Sequence, residues 1–474
     1  MAQALAQARS PHREWPRVHL GVAISASAHT HDLPTRHGSL LSTLACALCL
    51  ACGAGEGAVT ETTTSDSDGS TSGGPLETRY ILFTPFTGTI STLTDSQGAA
   101  VHSWTSATPP AVSVFLLPGG DLLRTGVEGT AFTSPGVGGR IERQSWDGEA
   151  QWSFSYSNQD HRLHHDIEPL PNGHILALAW EQKSADEAIA AGRDPATIEP
   201  MDGLWPDTVI EIDPLTNTII WQWHVWDHLV QDYDENAPNF DTLSARPERI
   251  DLNYVDPASP ALADWNHFNG IGYNQDLDQI VISAHHFNEI WLIDHSTSTA
   301  EAASSSGGRS GRGGDLLYRW GNPAAYGADG AQQLYHQHDP RWIPAGLPGA
   351  GDLTIFNNGE DDLRPYSTVV QISPPIGNDG TYDFDGSSYG PAAPTWQYAA
   401  DPVESFYSRI MGSAERLPNG NTLINEGFTG RFFVVTPEGE MIWEKNNGIS
   451  IFRADSFAAD SPELAGHDLM PIEG

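Results

Sequence analysis

HHDIEPLPNG (164–173), NHFNGIGYNQ (266–275) and QHDPRWIPAG (337–346) are three copies of one internal repeat, in register on His165, His267 and His338. Seven residues after each histidine stand Asn172, Asn274 and Ala345, where the chain turns into its next strand. VSVFLLPGG (112–120) and MGSAERLPNGN (411–421) share the frame without the histidine, placing Val112 and Gly412 there. A repeat of four short strands predicts an all-β fold, a β-propeller. One register in every blade maps to one height on the ring, so histidines far apart in sequence are expected to converge.

Working outward, the blades can be counted from runs separated by Gly, Asn, Asp and Pro. Complete blades begin at VSVFLL (112–117), DIEPL (166–170), FNGIGYN (268–274), DPRWIP (339–344) and GSAERLP (412–418). RYILFTP, TISTLTD and AVHSW make three strands of another, and GISIFRADSF (448–457) can supply its fourth. The expectation is a six-bladed propeller with the C-terminal strand closing the first blade. Helical periodicity is nearly absent outside the Ala-rich stretch 184–192. Each outermost strand carries a tryptophan: Trp104, Trp152, Trp221 or Trp223, Trp320, Trp396 and Trp443. At once per blade these read as packing between blades rather than as an aromatic cage. Insertions at 181–206, 227–264, 297–314 and 373–394 read as lids or decoration, and 303–314 as decoration.

The propeller is expected over 78–474. Ahead of it, RHGSLLSTLACALCLAC (36–52) has basic residues, an apolar run too short to cross a membrane, and small residues before Cys52. Residues 1–52 thus read as a targeting segment with a lipid anchor at Cys52, and the Ser/Thr/Gly and acidic stretch 53–77 as a flexible linker. The implied location is the exported bacterial cell envelope, in the periplasm or on the outer surface. All three cysteines, Cys46, Cys49 and Cys52, fall in that segment, which leaves the propeller no disulfide, thiolate nucleophile or cysteine ligand. A formal charge of −38 excludes nucleic acid as a partner. No glycine-rich loop follows a strand and opens a helix, so nothing suggests a nucleotide.

Three histidines in one register point to a site; the bland alternative is a hydrogen-bonded plug of the channel. FNNGEDDLRPYS (356–367) adds Arg364, which beside imidazoles would make a cradle for an oxyanion, or else pairs at the surface with Asp361 or Asp362. His165, His267 and His338 with His286 could instead hold a divalent metal ion.

At DWNHFNGIGYN (264–274) with IVISAHHFNEIWLID (280–294), and at QHD (337–339) with LTIFNNGEDDLRPYS (353–367), the chain resembles the bacterial arylsulfate sulfotransferases. AERLPNGNTLINEGFTGRFFVVTPEGEMIWE (414–444) adds a weaker likeness, and the whole runs from about Leu163 to Leu469. The resemblance implies an exported six-bladed propeller that moves a sulfuryl group from an aryl sulfate to a phenol without a nucleotide donor. It implies a sulfohistidine intermediate, with an arginine and further histidines on the sulfuryl oxygens, and neither cofactor nor metal. His267, His338 and Arg364 match family positions, and His165 joins them by register. The family's nucleophilic histidine lies in a later blade, near Gly412 here, and no histidine occurs between His338 and His467. Either another imidazole, His165 or His338, is sulfated, or the chemistry is lost. The alternatives are a non-catalytic ligand-binding propeller and a histidine-ligated metalloenzyme.

Overall fold

The computed structural model describes residues 79–130, 132–198, 203–258, 263–377, 380–384 and 386–472. The targeting segment and linker expected at 1–77 lie outside them. Among the described residues, six four-stranded antiparallel sheets form the blades of a propeller. The innermost strands of blades two to six are Pro110–Leu116, His161–Pro169, Phe268–Asn274, His338–Trp342 and Ser413–Arg416. In blade one the innermost strand is Ile451–Ala458, which pairs antiparallel with Arg79–Pro85. These six strands contact one another in a closed ring in chain order.

The middle strands of blade four are buried from end to end because its neighbours cover the blade on both faces. Gln279–Ala284 and Glu289–Asp294 of blade four are buried at every residue. The outermost strand Met441–Asn446 is only partly buried at alternate residues. The predicted tryptophans all lie on outermost strands, and five indole N–H groups also reach across to the next blade or its insertion. Trp104 donates to Ser145 O, Trp152 to Asn217 Oδ1, Trp223 to Gly314 O, Trp320 to Pro391 O and Trp396 to Pro437 O. Buried indole nitrogen needs an acceptor, and the next turn of the ring supplies it. Residues 303–314 are therefore not decoration: Gly314 O takes the Trp223 proton at 2.7 Å, and neighbouring Ala302 O contacts His228 Nε2 at 2.7 Å. The Ala-rich stretch forms the helix Ala185–Ala190, started by a reciprocal Ser184–Glu187 capping box.

Inside the ring the inner strands break register at one height. The shifts lie between Pro110 and Val114, Leu163 and Ile167, Phe268 and Gly270, and His338 and Arg341. Such bulges re-aim side chains, here with left-handed backbone at Val112, His165, His267, Asp339 and Met411. A β-branched residue at φ 116°, as at Val112, is strained and persists only because the surrounding ring fixes it.

One step along, all six blades meet in a single polar layer. Asp166 of blade three accepts from Ser113 Oγ of blade two and from the Ile271 N–H of blade four, and pairs with Arg453 of blade one at 3.1 Å. Arg453 also approaches Asp339 of blade five, which accepts the Ala414 N–H of blade six. This layer of carboxylates and arginines lies one residue along the inner strands from the register positions, as Asp166 follows His165 and Asp339 follows His338.

Candidate functional site

The register positions divide into two halves. Val112, Met411 and Phe452 form an apolar cluster on one side. His165 and His267 adjoin on the other, with ring centroids 4.6 Å apart. His338 does not touch them directly in the same way; His285 links it to them, 4.9 Å from His267 and 5.5 Å from His338. His286 stacks on His267 at 4.7 Å, and His336 stacks on His285 at 4.6 Å with the rings only 8° from parallel. The structure thus brings His165 against His267 and joins His338 to them through His285, inside a larger group.

Each imidazole has a distinct set of hydrogen bonds. His267 Nδ1 donates to Asp264 Oδ2 at 2.5 Å, and the same carboxylate receives Trp180 Nε1 and Ser134 Oγ. His286 Nδ1 donates to the Asp264 carbonyl. His338 is used at both nitrogens: Nδ1 donates to Asn358 Oδ1 at 2.8 Å, and Nε2 accepts the Met411 N–H at 3.3 Å. His165 is closed off by backbone, since a Cβ at Gly136 would lie 2.0 Å from its Nε2, and its Nδ1 lies 2.9 Å from His164 Nδ1. His336 Nε2 donates to Asp256 Oδ2 at 2.8 Å. His285 differs from the rest, for among the described residues no hydrogen bond holds its ring and its buried Nδ1 is left without a partner.

Burial makes most of this group neutral at physiological pH, because an imidazolium is poorly solvated there and its neighbours are also imidazoles. It pushes His164 and His338 down to about 3 and His286 to about 4. His165 and His285 are likewise held well below the ordinary value, first by burial and then by adjacent histidines. Two carboxyls beside them are driven apart. Burial, then the charge of Asp264, pushes Asp207 well up. Asp264 stays below the usual range: burial opposes this, but the His267 charge and hydrogen bond prevail. His164 Nε2 lies 2.8 Å from Asp207 Oδ1 without hydrogen-bond alignment.

A cavity of about 620 Å³ opens over this group. His285 and His336 line it, with Asp256, Glu360, Tyr407 and Arg409. None of His165, His267 or His338 does. Arg364 is not there either. Its guanidinium donates to Tyr366 O and Thr368 Oγ1 and lies 4.1 Å from the Tyr366 ring centroid. Among the described residues no hydrogen bond or ion pair joins it to an imidazole, so the expected cradle is not built from Arg364; burial and the tyrosine rings turn it aside. The arginine that does reach the cavity is Arg409, about half exposed and 3.9 Å from Asp361. Asp361 also accepts the Tyr407 hydroxyl proton.

The position expected for a late-blade histidine is closed. Gly412 has φ 137°, and a Cβ there would lie 2.6 Å from ring atoms of fully buried Phe356. Met411 fills the space beside it and caps His338. His467 lies elsewhere, stacked on Trp146 and contacting Gly119 O. Among the described residues no three His, Cys, Asp or Glu side chains are grouped to hold a metal ion.

Repeat register alone missed His285, His336, Asp256 and Asp264. Two signals were present: the HH pair directly after the second strand of blade four, and HQHD at 336–339. The carboxylates come from the long insertion at 227–264, which thus reaches the site rather than decorating the surface.

No curated protein matches the chain. Among solved structures it is similar to a protein of unknown function from Bacteroides caccae, at 12% identity and TM-score 0.43, over 79% of this chain and 97% of that one. It is also similar to virginiamycin B lyase from Staphylococcus aureus, at 10% identity and TM-score 0.37, over 78% and 82% of the two chains. Apo AztD from Citrobacter koseri gives 10% identity and TM-score 0.34, over 80% and 98%. At such scores these likenesses carry no inference about chemistry. The family model for arylsulfotransferase (ASST) matches residues 137–454, well over half of the sequence. The chain belongs to the arylsulfotransferase family.

Proposed function

We propose that this protein moves a sulfuryl group from an aryl sulfate to a phenolic acceptor at the imidazole cluster, with His285 as the nitrogen that carries it. Family membership supports aryl sulfotransferase activity in general. One observation favours His285: it lines the cavity and, whereas Asp256 holds the His336 ring, no hydrogen bond among the described residues holds its own. A ring free of that bond is not locked in one tautomer, and burial keeps it neutral and nucleophilic.

The reaction would pass a nearly planar SO₃ group in line, with chemistry like that of phosphoryl transfer. The cavity-side nitrogen of His285 attacks sulfur, and the sulfur–oxygen bond breaks with its electron pair leaving on the phenol oxygen. The acceptor oxygen then attacks the same sulfur, and the nitrogen recovers its lone pair. Arg409 offers a cation to the sulfuryl oxygens from the cavity wall. His267, His286 and His338, fixed by Asp264 and Asn358, position the His285 ring rather than carrying the group. His165 packs behind His267.

Purified protein incubated with p-nitrophenyl sulfate is expected to release a single equivalent of nitrophenolate as His285 is sulfated, and to turn over further only when a phenol is supplied. Continued turnover without acceptor would make the protein a hydrolase, and silence from folded protein would favour the non-catalytic binding propeller. The cavity wall gives that second reading some weight, because Asp256, Glu360, Asp361 and Asp362 outnumber Arg409 and oppose entry of an anion. The same proposal places the reaction in the exported cell envelope, tethered through Cys52. Radiolabelled palmitate should enter the wild-type protein in bacteria and not Cys52→Ala; equal labelling of both would remove the tether.

A further inference from the structure

The proposed transfer leaves protons unassigned. A phenol oxygen that departs as phenolate must gain one, and an acceptor phenol must lose one. His336 and Asp256 lie on the cavity wall beside His285 and have no place in the transfer described so far.

We infer that His336 is the general acid and base of the reaction, with Asp256 as its positioning residue; the inference rests on the sulfuryl-transfer reading. The His336 ring lies parallel to the His285 ring at 4.6 Å, so a group on His285 is within its reach. Its Nε2–H is committed to Asp256 Oδ2 at 2.8 Å, which fixes the ring and leaves Nδ1 as the working nitrogen. Asp256 is itself held, its Oδ1 receiving the Ala258 N–H at 3.0 Å. The backbone at His336 is left-handed, with φ 51°, and its N–H is clamped by Asn288 Oδ1 at 2.8 Å. A strained backbone, a buried carboxylate and an amide clamp all serve to place one ring. Such over-determination accompanies functional geometry more often than packing alone.

The protons balance over one cycle. As the sulfur–oxygen bond of the donor breaks, the Nδ1–H of the His336 imidazolium passes its proton to the departing phenol oxygen. His336 is then neutral. When the acceptor oxygen attacks sulfur on His285, its hydroxyl proton moves to His336 Nδ1, the nitrogen–sulfur bond breaks, and the imidazolium is restored. No oxidant, metal or further reactant is needed. Asp256 keeps its negative charge throughout and neutralises the imidazolium, as the carboxylate does in a Ser-His-Asp triad.

The test uses the full protein and a series of aryl sulfates, from p-nitrophenyl sulfate to unsubstituted phenyl sulfate. A poor leaving group needs its proton; a good one leaves without it. Phenol release in the first turnover, without acceptor, isolates the donor step, and there His336→Gln should lose about 10²–10⁴-fold in rate with phenyl sulfate and only about tenfold or less with p-nitrophenyl sulfate. Asp256→Asn, which keeps the His336 ring, should show the same divergence, and Asp256→Glu should recover part of the loss. Either variant suffices should the other fail to fold. An equal loss across the series in a folded variant, with the wild type active, would overturn the relay and leave the transfer reading intact. A wild type inactive on every aryl sulfate would overturn the transfer reading and the relay with it.

Discussion

His285→Ala is expected to lower transfer from p-nitrophenyl sulfate by about 10³-fold or more, the scale on which enzymes lose rate when a covalent nucleophile is removed. The size of the effect separates His285 from its neighbours. His338→Ala removes a ring whose two nitrogens are already bound to Asn358 and Met411, so it disturbs position only. Loss of one preorganised group of that kind typically costs about 10²-fold to 10³-fold. The order of the two variants therefore carries the argument. A second measurement excludes a mere packing defect: free imidazole added to His285→Gly should occupy the vacated space and restore part of the rate. His285→Ala within threefold of wild type, or no rescue combined with full loss in His338→Ala, would move the nucleophile elsewhere.

The ring of blades is legible in the sequence because its determinants are local and repeated. Strand runs, turn residues and one tryptophan per outermost strand recur with the blade, and the register on His165, His267 and His338 is a property of aligned segments. What sequence could not give is the direction in which each nitrogen points. His338 carries the family match, yet its nitrogens are consumed by Asn358 and by a backbone amide contributed from blade six. His165 shares the register, yet the Gly136 backbone lies against its Nε2. His285 and His336 sit beyond strand ends, where repeat arithmetic has no hold, and they reach the cavity through insertions and left-handed turns. Arg364 failed for a related reason: its neighbours Tyr335 and Tyr366 offer ring faces that compete for the guanidinium. The missing late-blade histidine has a steric cause, the approach of Phe356 to Gly412, that only packing reveals.

Arg453→Met should destabilise the propeller by about 3–5 kcal/mol at neutral pH, the usual result of stripping one partner from a buried ion pair. Arg453 is nearly inaccessible, lies 4.4 Å from the Phe115 ring centroid, and pairs with Asp166 at 3.1 Å while approaching Asp339 and Asp455. Methionine preserves much of the volume, so the loss measures charge rather than a cavity. Asp166 already sits above the ordinary carboxylate range through burial, with Arg453 pulling the other way. Without that cation its folded pKa rises further. A carboxyl raised in the folded state stabilises below its unfolded pKa and loses that contribution as pH climbs through the folded value. The deficit of the variant is therefore greatest near neutrality and shrinks on acidification toward the ordinary carboxylate range. Urea unfolding of both proteins across that window checks the sign, and a deficit below about 1 kcal/mol, or one that grows in acid, would contradict the account. Asp166→Asn added to Arg453→Met should recover part of the loss, because one of the three carboxylates left without Arg453 goes with it. The layer thus specifies how six blades meet more than it strengthens their meeting. Because His285 lines the cavity while His165, His267 and His338 do not, substrate is expected to reach the cluster at His285 from the cavity side.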